Sequence, residues 1–380
     1  MLSRTTFPAN AATHYYSKAS AFNAFSAVAV IYSALANFSI MCLRPIPLIN
    51  RNLPHVQEIP KTLVSNRVAI VTGSNTGIGL ETSQSLVERG YQVVMACRSK
   101  EKALRAIEKI QKELPDAPGK AVFHGTLDLS NFQSVKTFAA TILKKYDKID
   151  LLVNNAGLNT SGPSERGLDL VFQANFLGHF LLTQELMETI LKADNPRVVN
   201  LSSVMHHYCQ AEKHDEEYWR KNALFASASK DENSYSASKL AALLFTIELN
   251  KRYKSRGLRS IAVNPGAVNS DIWRGYPRWI VAIFKRVYLN NKQGSYTSIA
   301  ASVMDDLPED VVYLQPYHQV QNQSPPFPPF EMLGPFVGFQ STPPRLPRDG
   351  SNGELTSAAL WKVSKELTRF PPDSNSSKES

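Results

Sequence analysis

The sequence predicts an α/β domain in which a doubly wound parallel sheet carries helices on both faces. Three observations predict it. Strand-like apolar runs recur along the chain: Val68 to Val71, Gln92 to Ala96, Ala121 to Phe123, Ile149 to Val153, and stretches opening at Arg197 and Arg259. Such runs mark strands buried on both sides of a parallel sheet. The first run leads into a glycine-rich turn, Thr72 to Gly79, with a helical stretch from Leu80 to Arg89 behind it. Finally, 380 residues with 43% hydrophobic content supply enough apolar surface for one large α/β core plus appendages.

The turn is the first functional signal. Gly73, Ser74, Asn75, Thr76, Gly77, Ile78 and Gly79 lie between a strand and a helix. Glycines there allow a tight turn, and they let backbone N–H groups and the helix N-terminus approach a pyrophosphate. The required context of strand before and helix after is present. The second strand ends in Cys97-Arg98, and Arg98 stands 19 residues after Gly79. Dinucleotide folds place an acid there for the ribose 2′-hydroxyl of NAD, or a cation for the 2′-phosphate of NADP. A guanidinium suits a phosphate and gives a hydroxyl little, so NADP(H) is the expected cofactor. The plain alternative is a solvated arginine in a basic stretch with Lys100 and Lys102.

The spacing Thr-Gly-x-x-x-Gly-x-Gly resembles the short-chain dehydrogenase/reductase superfamily, and further motifs follow in that family's order. Within Leu127-Asp128-Leu129 the resemblance implies that Asp128 contacts the adenine ring, with Leu129 beside it; Asp128 could equally cap the helix starting near Asn131. Asn154-Asn155-Ala156-Gly157 matches the family motif that stabilises the sheet and lines the cofactor cleft. Val171 to Phe180 looks like the family helix whose asparagine, here Asn175, holds a water in a proton relay; a buried asparagine needs hydrogen-bond partners in any case, so a structural role is also open. The strand opening at Arg197 ends in Ser202-Ser203, and the family pattern makes Ser203 the catalytic serine. Pro265, Gly266 and Val268 resemble the turn that frames the nicotinamide. The resemblance covers roughly residues 66–313 and implies a seven-stranded parallel sheet of the Rossmann type. Val204-Met205-His206-His207 points to the retinol-dehydrogenase-like and light-induced alcohol dehydrogenase-like branch. Those histidines read as loop residues, not metal ligands, since no acid or cysteine pattern accompanies them. No metal is expected.

Tyr235 and Lys239 are the expected acid/base pair, the plain alternative being a lysine stem packed on a tyrosine ring at a helix surface. On a helix, residues four apart share a face. A free phenol has a pKa near ~10, and a neighbouring cation lowers it. Bringing it near neutrality needs roughly 4 kcal/mol of differential stabilisation. The resemblance implies that Tyr235 moves the proton, that Lys239 lowers its pKa and holds the nicotinamide ribose, and that Ser203 positions the substrate oxygen. A nucleotide-binding regulator without turnover would need no proton donor. A ketoreductase of secondary metabolites would keep the chemistry and change only the substrate.

Three stretches depart from the pattern. Ser203 and Tyr235 are 32 positions apart, and the excess at 206–233 is polar and charged, which reads as a surface excursion at the mouth of the pocket. Trp279 to Phe284 is an apolar run between Arg278 and Lys285. It reads as a lid for a lipophilic substrate, as a membrane-resting segment or as a core helix. Residues 314–350 hold nine prolines, and this insertion cannot be helix or central strand. Residues 351–370 resemble the family's last helix, and 371–380 are a polar tail.

Net charge is 42 − 33 = +9, of which residues 1–66 supply +4. The catalytic domain is therefore only mildly basic, and nothing suggests nucleic acid. Three cysteines at 42, 97 and 209 show no pairing or metal spacing, which fits a reducing compartment. Behind a basic tail at 1–18, Ala19 to Leu43 is 25 residues without a charge. That is long enough to span a bilayer. A linker, 44–65, follows. The segment reads as an anchor to the endoplasmic reticulum or mitochondrial membrane with a cytosol-facing catalytic domain, the alternative being a cleaved mitochondrial presequence.

Overall fold

The computed structural model of the chain describes residues 59–160, 162–209, 214–225, 234–269, 288–316, 339–341, 346 and 353–369. The anchor segment 19–43 and the apolar run Trp279 to Phe284 lie outside the described residues. Among the described residues, no helix is long and apolar enough to cross a membrane.

Seven parallel strands form the sheet. They are β1 (Val68–Thr72), β2 (Gln92–Ala96), β3 (Lys120–Val122), β4 (Leu151–Asn154), β5 (Arg197–Leu201), β6 (Arg259–Val263) and β7 (Tyr313–Pro316). Their order is 3-2-1-4-5-6-7, and the seven-stranded parallel sheet is the one the resemblance implies. An eighth strand, β8 (Phe339–Ser341), adds antiparallel to β7 at the edge. The proline-rich stretch thus contributes more than an excursion. Its first residues, 314–316, complete β7, and three later ones cover it. Proline is tolerated because Pro316 ends its strand and β8 is an edge.

Side chains alternate across each strand, and the core divides accordingly. Ile70, Val94, Leu152 and Val198 face one layer with α3 (Phe132–Leu143), α4 (Gly178–Ile190), α6 (Ser234–Tyr253) and α8 (Glu354–Thr368). Ala69, Val71, Val93, Met95, Leu151, Val153 and Val199 face the other, with α1 (Gly77–Glu88), α2 (Lys100–Glu113) and α7 (Tyr296–Val303). Each fully buried aliphatic side chain contributes roughly 1.5–3 kcal/mol.

The excursion at 206–233 is only partly a surface loop. It carries a helix, α5 (Glu216–Ala223), which Asp215 caps by accepting from the Tyr218 N–H at 2.9 Å. Trp219 of this helix is fully buried, its ring 6.2 Å from that of Phe172. Arg220 to Glu366 at 2.8 Å and Lys362 to Glu216 at 2.7 Å tie α5 to α8. These exposed pairs add little; the buried indole is the anchor.

The strand order reverses between β1 and β4, which are neighbours. Open α/β sheets bind ligands at the carboxyl ends of strands beside such a switch point.

Candidate active site

Most of the predicted site residues converge on that switch point. Gly73 follows β1 with φ of +65°, a left-handed conformation that glycine adopts without strain. α1 begins inside the glycine turn, at Gly77, and the Thr76 side chain does not cap its first turn. A Cβ at Gly79 would overlap the Asn155 amide and the Gly73 carbonyl. Ser74 is buried and lies 3.2 Å from the Cys97 sulfur, which joins the turn to the end of β2. Ile78 packs with Val268, Leu289 and Tyr296, so the turn also meets the loop after Pro265 and Gly266. Asn75 and Thr76 are half-buried in the turn, and Arg98 is exposed just beyond β2.

The loop after β4 is fastened to β1. Asn155 Nδ2 donates to the Thr72 carbonyl at 2.7 Å, and the N–H groups of Asn155 and Ala156 both donate to Thr72 Oγ1 at 2.9 Å. A Cβ added to Gly157 would stand 3.6 Å from Asn175 Oδ1 and 3.8 Å from Lys239 Nζ, which brings this loop to both side chains. After β3, Asp128 Oδ1 accepts from the Ser130 N–H at 2.9 Å, while Asn131 caps α3 through the Ser134 N–H. The cap is therefore Asn131, and Asp128 is not needed for it. Leu129 is buried, and its carbonyl abuts Gly178.

Asn175 occupies a π-helical turn, Gln173–Leu177, that interrupts the expected helix ahead of α4. Such turns gather at functional sites. Its side chain is paired on both atoms: the Leu158 N–H donates to Oδ1 at 2.8 Å, and Nδ2 donates to the Leu158 carbonyl at 2.9 Å.

Ser202 and Ser203 separate cleanly. Ser202 is buried, and its hydroxyl donates to the Lys239 carbonyl at 2.8 Å. Ser203 is half-buried, and its hydroxyl hydrogen-bonds the Tyr235 phenol. Lys239 Nζ lies 5.3 Å from the Tyr235 ring centroid and donates to the Leu201 carbonyl at 2.9 Å.

The electrostatics reverse the expected balance. Burial pushes the phenol up to about 12, opposed by the Ser203 hydrogen bond. It also pulls the Lys239 ammonium down to about 8. Desolvation of the charged form is the leading effect on both groups, and the phenol keeps its proton. Tyr235 as a whole residue is half-buried.

The family model for short chain dehydrogenase matches residues 67–213. Retinol dehydrogenase 11 of Mus musculus is 37% identical over 245 residues, covering 63% of this chain and 74% of that protein. The chain belongs to the short-chain dehydrogenase/reductase family. The WW domain-containing oxidoreductase of Gallus gallus is 32% identical over 318 residues, or 80% of this chain and 69% of that protein. Among solved structures, an uncharacterized protein from Mycobacterium paratuberculosis aligns with a TM-score of 0.57 at 28% identity, covering 82% of this chain and 97% of that one.

Short-chain dehydrogenases/reductases are oxidoreductases that use NAD(P)(H). The residues present fit such a group. The close approach at Gly79, the positive φ at Gly73 and the helix start at Gly77 form a backbone-lined cradle of the kind a pyrophosphate requires. Among the described residues, no group of three potential metal ligands occurs.

Sequence reasoning missed His179. It is buried, with Nδ1 3.0 Å from the Asn175 carbonyl and Nε2 2.9 Å from Thr72 Oγ1. Its position four residues after Asn175 was visible, but its partner Thr72 is 107 positions away.

Proposed function

We propose that the chain is an NADP(H)-dependent oxidoreductase that interconverts an alcohol and a carbonyl on a lipophilic, retinoid-, steroid- or lipid-like substrate. The observation that carries the chemistry is the Ser203–Tyr235 hydrogen bond with Lys239 against the tyrosine ring, beside the glycine turn. The bound cofactor supplies or accepts the hydride at the substrate carbon. Tyr235, protonated at neutral pH, gives its proton to the carbonyl oxygen in reduction and takes it back in oxidation. Ser203 donates a hydrogen bond to that oxygen and fixes its distance from the phenol. Lys239 favours the phenolate left after transfer and holds the ribose. Asn175 holds the loop at Leu158 and supports a water relay to Lys239.

Arg98 supports NADP(H) over NAD(H), because an exposed guanidinium at the end of β2 can pair with a 2′-phosphate. The kinship with retinol dehydrogenases supports a lipophilic substrate. The uncharged run 19–43 supports a membrane anchor, and Arg44, Arg51 and Lys61 after it support a catalytic domain on the cytosolic side.

The test is a screen of lipophilic aldehydes and ketones against the purified chain with NADPH and NADH, following cofactor absorbance. NADPH oxidation that disappears in Tyr235→Phe is expected. Absence of any Tyr235-dependent turnover would overturn the reading.

A further inference from the structure

His179 has a place in the site that neither the family motif nor the proton-transfer scheme assigns. Its ring sits between two elements whose geometry the reaction depends on. One is the Thr72–Gly73 junction, where β1 enters the nucleotide turn. The other is the π-helical turn that carries Asn175.

The hydrogen-bond chemistry fixes the ring's state. The Asn175 carbonyl can only accept, so Nδ1, 3.0 Å away, carries the hydrogen. Thr72 Oγ1 already accepts from the N–H groups of Asn155 and Ala156 at 2.9 Å. Its own hydrogen points to one of two acceptors: the Val153 carbonyl at 3.4 Å or His179 Nε2 at 2.9 Å. The shorter contact favours His179 Nε2, which must then be bare. A protonated ring would present two donors and lose the Thr72 bond. Burial, and secondarily the nearby Lys239 charge, hold the imidazole down at about 4, in agreement with a neutral ring.

A second link runs parallel. The Thr183 hydroxyl donates to the His179 carbonyl at 2.8 Å, and Asn154 Nδ2 donates to Thr183 Oγ1 at 3.0 Å. The first turn of α4 is thereby tied to the carboxyl ends of both β1 and β4. These contacts are buried, so losing one leaves an unsatisfied group.

We propose that His179, as the neutral Nδ1–H tautomer, is a positioning residue that couples the Thr72–Gly73 nucleotide turn to the Asn175 turn beside Lys239. It touches neither substrate nor cofactor. It sets the turn that receives the pyrophosphate and the turn whose Asn175 side chain reaches Ser238, beside Lys239, in one register. The role rests on the reading of the Thr72–Gly79 turn as a dinucleotide site.

The test has two parts, both on the full chain. In the first, protein labelled with 15N-histidine and free of cofactor is studied by NMR, with His179→Gln assigning the signal. A neutral ring protonated at Nδ1 and bare at Nε2, unchanged from pH 8 to pH 5.5, is expected. An Nε2–H tautomer, or titration near pH 6.5, would overturn the bridge. In the second part, NADPH affinity is titrated by fluorescence in His179→Leu, His179→Gln, Thr72→Val and the Leu/Val double variant. His179→Leu should weaken binding about tenfold, the loss expected of one buried hydrogen-bonded link. His179→Gln keeps a donor and an acceptor and should recover most of that loss. The double variant should be no weaker than the weaker single one. Fully additive losses, or no rescue by glutamine, would overturn the coupling. If His179→Leu fails to fold, the glutamine variant and Thr72→Val still decide it. A wild-type chain that bound neither NADPH nor NADH would sink the functional reading, and the spectrum would still decide the tautomer.

Discussion

The nucleotide turn and the Tyr235–Lys239 pair lie at the same edge of one sheet, yet different forces make them. The turn is a product of shape. Gly73 takes a backbone conformation that other residues resist, Gly79 lets two chain segments touch, and Thr72 and Asn155 hold the result with short, directed hydrogen bonds. The pair is a product of environment. Its phenol and ammonium are ordinary groups whose proton affinities burial has moved in opposite directions, to about 12 and about 8. Altering the first region should spoil binding and stability. Altering the second should spoil chemistry and leave the fold intact.

The largest expected effect tests the second half of that contrast. Tyr235→Phe should lower kcat by roughly 10²–10⁴-fold, the usual share of a positioned acid/base, while NADPH titration stays near wild type. A matching loss of cofactor affinity would show that the phenol is part of the architecture after all. Next comes acid stability. The folded-state pKa of His179 lies below its unfolded value of 6.5, at about 4, so the stabilisation is complete above pH 6.5 and is lost as pH falls toward 4. The full loss is on the order of 3 kcal/mol. Urea unfolding of wild type and His179→Gln across that range should give a steeper decline for wild type; parallel curves would remove His179 from the account. Gly79→Ala should cost about 1–3 kcal/mol through overpacking against Asn155, readable in urea melts, and should weaken both dinucleotides alike. A stable variant with normal binding would mean that the turn tolerates more than its geometry allows. The smallest effect is the most selective. Arg98→Ala should weaken NADPH about tenfold, as expected for one charge-assisted contact, and leave NADH unchanged. Equal effects on both would assign Arg98 to solvent.

The same contrast explains what the sequence made legible. Shape requires particular residues at particular spacings, so Gly73, Gly77, Gly79 and Asn155 could be read directly, and strands flanking the turn followed from their apolar runs. Environment leaves weaker marks. The chemical pair was visible, but the direction in which burial moves it was not, because that depends on walls contributed by distant segments. α5 was hidden because eight residues rich in charge give no clear period, and one buried indole anchors it. The π-helical turn at Asn175 has no recurring sequence pattern of its own. His179 bonds a residue 107 positions away, which only the order of β1, β4 and α4 brings near.

The eighth strand has a consequence for how this chain behaves in crowded solution. An open parallel sheet ends in rows of unpaired peptide groups that invite another chain to add on. Here β8 covers β7, and among the described residues the sheet is bounded by two strands of three residues each, Lys120–Val122 and Phe339–Ser341. So short a template offers an incoming strand few backbone partners, and the exposed Lys120 opens one of them with a charge. A proline-rich insertion that looks like ornament thus works against strand-to-strand polymerisation, and shortening it should lower the concentration at which the chain begins to aggregate.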